Sequence, residues 1–178
     1  IESNERRIVF TVANEEKTKK LIQAQKRHMH IGVPGHGIVI AVPIKSVGGG
    51  KTVAFLNGET DNAAYTPSLN YAHELIVAVC SQGCTDMVMN AARAAGARGG
   101  TVLHGKGTGA KGAPKFYNIT IAQEKEMILI VAAASQKAAI MQSILKKAGP
   151  DSKAGTIVFS LPTTQVAGFA LLDSQDET

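Results

Sequence analysis

The chain has 178 residues, enough for one large domain or two small ones. Hydrophobic residues are 44% and charged residues 19%, which excludes a disordered chain, and with 4% aromatics and no Trp the core has to be aliphatic. A net charge of +5 favours an anionic partner, but the cationic residues are spread along the chain and base-stacking aromatics are scarce, which argues against nucleic acid.

Arg7–Ala13 (Arg-Ile-Val-Phe-Thr-Val-Ala) is short and β-rich and predicts a buried strand. Asn14 is a good N-cap, and Glu15 and Glu16 suit the first turn of a helix running to about His28. Gly32–Gly37 breaks that helix, and a strand is expected from Ile38 to Val42, stopped by Pro43. His28, His30 and His36 raise the question of a metal. No cysteine or paired carboxylate lies beside them, and cationic histidines at a helix C-terminus are ordinary, so no metal site is expected.

Gly48-Gly-Gly leads into a candidate extra strand, Thr52–Leu56, and residues 51–71 have the Asn, Thr, Ser and Gly content of a linker. His73–Cys80 is the next strand. Cys80 and Cys84 have neither the spacing of a redox pair nor that of half a zinc ribbon, and are expected to be two buried, reduced thiols. A helix from about Cys84 to Ala95 presents Met87, Val88, Ala91 and Ala95 at core spacing, and Gly96 stops it.

After a short strand, Thr101–Leu103, a loop opens with Gly105, Gly107, Gly109 and Gly112 interleaved with Lys106 and Lys111. Glycines let several backbone N–H groups approach one anion, and lysines add point charges suited to phosphate. Such a loop serves equally well as a hairpin tip that binds nothing, since neither the dinucleotide fingerprint nor the P-loop pattern is present. Phe116–Ile121 extends the hairpin, and Glu126–Ala132 is strongly strand-like. Ser135 is expected to cap a helix carrying Ala139, Ile140, Ser143 and Ile144 at helical spacing, with Lys146 and Lys147 at its end and Gly149-Pro150 beyond. The last strand, Thr156–Leu161, ends at Pro162, and an acidic, frayed tail follows from Asp173.

Residues 72–162 thus read β-α-β-β-α-β, an α+β chain whose economical packing is a four-stranded antiparallel sheet with both helices on one face, the ferredoxin-like arrangement. The other face needs cover, which small domains often obtain by self-association. No nucleophile and base stand at telling spacing, and Asn90 and Arg93 lie on the expected outer face of a helix, so an enzyme is not expected. No apolar run reaches the roughly 20 residues of a membrane span, and no secretory signal precedes the first charges, so a cytoplasmic location is expected.

The chain also carries an internal repeat. An offset of 119 takes Glu5 to Glu124, Val12 to Val131, Leu21 to Ile140, Val39 to Val158, Pro43 to Pro162 and Gly49 to Gly168. A constant offset across strand, helix and strand is hard to obtain by chance. Residues 1–50 therefore read as the C-terminal half of a first ferredoxin-like domain, 51–71 as linker, 72–169 as a complete copy and 170–178 as tail. The missing half is expected before residue 1, or from another chain.

Gly99–Gly112 resembles the strand and the start of the long signalling loop, the T-loop, of nitrogen-regulatory PII proteins. Glu124–Pro162, ending in Gly155-Thr-Ile-Val-Phe-Ser-Leu-Pro, is similar to that family's second β-α-β, and the repeat points to its tandem, PII-like branch. The resemblance implies a ferredoxin-like trimer with three-fold or pseudo-three-fold symmetry. It would bind a small anionic effector such as ATP, ADP or AMP in clefts between subunits and act on a regulated protein, in nitrogen metabolism for the family's sensors. By position, Gly105, Lys106, Gly107, Thr108, Gly109 and Lys111 match the T-loop base. Gly149–Gly155 matches the loop that cradles phosphates, which adds Lys153, Gly155 and Thr156 to the expected effector contacts. The alternative is a structural or metal-binding trimer of the related CutA type, for which His104 is the candidate ligand in the loop strand.

Overall fold

The computed structural model describes residues 7–33, 35–44, 67–107, 115–116, 119–120 and 123–168. In chain order its elements are α1 (Glu15–His28), β1 (Val39–Ala41), β2 (Asn70–Ser81), α2 (Thr85–Ala94), β3 (Thr101–Gly107), β4 (Lys115–Phe116), β5 (Ile119–Thr120), β6 (Gln123–Ala133), α3 (Ala134–Ala148), β7 (Ile157–Thr163) and β8 (Gln165–Ala167). The chain divides into two compact units, Ile1–Pro67 with Ala167–Thr178, and Ser68–Val166.

The second unit is a four-stranded antiparallel sheet in the order β3-β6-β2-β7. Each β-α-β crossover skips one strand, so the ferredoxin-like order expected from the sequence is the one formed. The register is set by which side chains can be buried. Ile76 lies opposite Ile130 and Ala78 opposite Ile128. These residues face the helices and are fully buried, together with Val88, Ala91 and Ala92 of α2 and Ile140, Ile144 and Ala148 of α3. The Ser143 hydroxyl donates to the Ala91 carbonyl at 2.7 Å and ties the two helices together.

The opposite sheet face carries Leu75, Val77, Val79, Met127, Leu129, Val131, Ile157, Phe159 and Leu161, because residues directly opposite in an antiparallel ladder share a face. It too is apolar, and Met127, Ile157 and Phe159 remain 39%, 66% and 43% exposed.

Two boundaries differ from the sequence expectation. The helix after β6 begins at Ala134 with no side-chain cap, so Ser135 sits inside the first turn instead of capping it. Strand β6 runs straight into the helix and leaves no residue between them to act as a cap. Pro162 does not end β7, which continues to Thr163. β7 is an edge strand, where a residue without an N–H is tolerated. Gly96, as expected, ends α2 with φ +103, and Gly149 follows α3 where a Cβ would meet the Leu145 carbonyl oxygen at 2.2 Å.

In the first unit, α1 is capped by Asn14, whose side chain accepts from the Lys17 amide at 2.9 Å. Ile22, Ile31 and Ala167 form a small buried cluster with Val39 and Ala41 against it. The expected strand over 7–13 is not formed. Val9 and Phe10 are 82% and 80% exposed. A β-prone sequence becomes a strand only when another strand takes its hydrogen bonds, and none does so here among the described residues. The candidate strand Thr52–Leu56, the linker core and the acidic tail lie outside the described residues.

Candidate functional site

The expected glycine loop starts later than its composition suggests. β3 continues through Gly105, Lys106 and Gly107, which pair in register with Lys125, Glu124 and Gln123. These residues therefore form a strand edge rather than a loop. Neither Gly105 nor Gly107 has positive φ, and a Cβ on Gly107 would press closest on the flexible Lys125 side chain, at 3.0 Å. The ladder places Lys106 and Glu124 on the same face, with Nζ 3.5 Å from Oε1. An incoming anion has to compete with that carboxylate, although an exposed pair of this kind is worth at most about 1 kcal/mol. Thr108, Gly109 and Lys111 lie outside the described residues. Beyond them, β4 and β5 pair as a small hairpin, Lys115 with Thr120 and Phe116 with Ile119.

The second expected site, the loop from Gly149 to Thr156, is wound on itself. Ser152 N donates to the Gly149 carbonyl, Gly155 N to the Ser152 carbonyl and Thr156 N to the Ala148 carbonyl, all at 3.0–3.1 Å. Ala154 N donates to the Ser152 hydroxyl at 3.2 Å. Four amides that could have cradled an anion are thus turned inward. Lys153 and Gly155 are exposed at the loop's surface, the latter with φ +54. Thr156 is fully buried, and its hydroxyl has no hydrogen-bond partner among the described residues.

The fold brings these two stretches to one end of one sheet. Gly105 on β3 lies opposite Lys125 on β6, and Lys125 opposite Ser81 on β2. Ser81 N then donates to the Ala154 carbonyl at 2.9 Å. Three strand spacings separate Gly105 from Ala154, about 15 Å. At that separation the two stretches of one chain cannot grip a single phosphate.

Sequence reasoning missed Glu126 in the same region. Glu126 is 5% exposed, and its carboxylate accepts from both the amide and the hydroxyl of Thr85. α2 has no cap from its own N-cap residue, Cys84, so a glutamate from a neighbouring strand supplies one. The Thr85 hydroxyl, then the amides of Gly83 and Thr85 and the nearby His104, hold the Glu126 carboxyl below its ordinary value of 4.5, against the opposing effect of burial. His104 Nδ1 is 3.7 Å from Glu126 Oε1. The one available signal was a glutamate at a helix-facing position of an otherwise apolar strand.

Cys80, opposite Glu126, is 1% exposed, and burial followed by the charge of Glu126 pushes its thiol up to about 11. Cys84 is buried as well, and neither is bridged, so both are the buried free thiols expected. No three His, Cys, Asp or Glu side chains among the described residues come together to hold a metal, so His104 and Glu126 form a pair without a third ligand. No helix among the described residues is long and apolar enough to cross a membrane.

A β-α-β-β-α-β sandwich with a glycine-rich extension between its second and third strands defines a ferredoxin-like module. Residues 73–169, more than half of the chain, match the family model described as "Nitrogen regulatory protein P-II", and the chain belongs to that family. No curated protein matches. Among solved structures, the crystal structure of Arabidopsis thaliana PII bound to citrate aligns at 20% identity and a TM-score of 0.40, over 51% of this chain and 77% of that one.

Proposed function

We propose that the chain is a PII-like regulator that binds a small anionic effector, an adenine nucleotide being the first candidate, in clefts between subunits. The effector would bias the segment between β3 and β6 towards or away from a regulated protein, which for the family's sensors would lie in nitrogen metabolism. The supporting observation is the placement of the β3 end and the 149–156 loop at the same end of one sheet, with Lys106 and Lys153 exposed on them. The 15 Å span favours a ligand whose two ends are read by different stretches. The apolar sheet face supports a three-fold or pseudo-three-fold assembly of ferredoxin-like domains. We assign residues 1–50 to the C-terminal half of a first copy of the module on the strength of the offset of 119.

The test is a thermal-shift screen against ATP, ADP, AMP, cyclic nucleotides and 2-oxoglutarate. A ligand at 100 times its dissociation constant stabilises by about 2.7 kcal/mol. Lys106→Ala and Lys153→Ala should each weaken whichever ligand is found. A ligand indifferent to both substitutions places its site elsewhere, and a clean monomer in light scattering at micromolar concentration overturns the subunit-cleft reading.

A further inference from the structure

The histidines at and after the end of α1 were not expected to hold a metal, yet the loop brings two of the three, His30 and His36, together. Two consecutive turns do this: Val33 N donates to the His30 carbonyl at 3.0 Å, and His36 N to the Val33 carbonyl at 3.1 Å. The ring centroids of His30 and His36 end 6.1 Å apart, with the rings at 74° to each other. His30 holds φ +52, a left-handed backbone that non-glycine residues seldom adopt. Its neighbour Ile31 is buried beside Ile22, which anchors that end of the loop. His36 Nδ1 is 3.2 Å from the Met29 carbonyl oxygen. A backbone carbonyl on Nδ1 is the partner that fixes a metal-binding imidazole and leaves Nε2 outward as the ligand.

We propose that His30 and His36 form a two-imidazole site for a late first-row divalent cation, copper(II) foremost. Imidazole suits these ions, and copper(II) heads the affinity order among them. A metal–nitrogen bond of about 2.0 Å puts each centroid about 3.2 Å from the ion, so cis ligands have centroids about 4.5 to 5 Å apart. Closing from 6.1 Å takes about one ångström of side-chain rotation, which two exposed rings can make. The remaining coordination positions stay open to water or to a donor from a partner. Lys26 and Arg27, in the last turn of α1, oppose a cation, so affinity in about the micromolar range is expected rather than tighter. The offset of 119 sets His30 and His36 on Gly149 and Gly155, so the site occupies the counterpart of the 149–156 loop.

The experiment titrates copper(II) chloride into the metal-stripped full chain. It is followed by calorimetry, by electron paramagnetic resonance and by broadening of histidine ring proton signals. One equivalent with two coordinated imidazole nitrogens is expected, and His30 and His36 should broaden before the other histidines. His36→Ala and His30→Asn should each weaken binding by about tenfold or more. Asn tolerates left-handed backbone, so the His30 change leaves the loop conformation accessible. The double variant should be little worse than either single one, because both remove the same site. His28→Ala should stay within about twofold of wild type. Binding unchanged in His30→Asn and His36→Ala overturns the proposal, as does a loss in His28→Ala equal to theirs.

Discussion

Residues 7–13 and 126–132 have similar β character, yet one is exposed chain and the other is the centre of a sheet. Val9 is 82% exposed, while Ile128 is fully buried. The difference lies in their neighbours. Residues 126–132 are flanked by β2 and β3 and covered by two helices, whereas 7–13 has no partner strand among the described residues. The helices reverse the ranking: α1 has a side-chain cap in Asn14, and α3, whose N-cap residue is Ala133, has none. Local signals are therefore stronger in the first unit and tertiary support is stronger in the second. Only the second yields a large core.

The widest separation between the two should come from matched truncations. Ile128→Ala is expected to cost about 2–5 kcal/mol in denaturant unfolding. Val9→Ala should stay within about 0.5 kcal/mol. Equal losses would mean that 7–13 is packed after all.

Glu126→Gln should cost about 1–3 kcal/mol, because it takes the charge from a buried group holding two bonds to Thr85. It should also change the acid limb. The folded-state pKa of Glu126 is depressed, so its contribution is complete above 4.5 and is lost as pH falls through the lower folded value. Unfolding followed from pH 6 to pH 2 should show a shallower decline in the variant. A parallel curve would mean that the carboxylate contributes no linkage.

Asn14→Ala should lower the stability of α1 by about 1 kcal/mol, read as faster amide exchange in its first turn, while Ser135→Ala, at a position that does not cap, should leave α3 unchanged. The smallest effect is expected from Lys106→Ala without ligand, under about 1 kcal/mol and fading with salt, because the pair with Glu124 is exposed. A larger, salt-insensitive loss would give Lys106 a structural role that its geometry does not show.

Much of the fold could be read directly from the sequence. The strand and helix periods, Gly96 and Gly149-Pro150 placed both helices of the second unit to within a residue or two, and their order predicted the sheet. Strand ends were less legible. The ladder with β6 carries β3 through three residues whose composition reads as loop, and Pro162 is tolerated because β7 lies at an edge. Composition reports what a residue prefers alone, and a partner strand overrides that preference.

What the sequence determined by itself is periodicity, capping and punctuation, which depend on residues a few positions apart. Tertiary structure alone decided the rest: that Glu126 caps a helix 41 residues away in sequence, that the Ser152 and Ala154–Thr156 amides turn inward, and that 7–13 forms no strand. Each depends on which distant group takes up a hydrogen bond or buries a face, and a linear pattern does not record that partner.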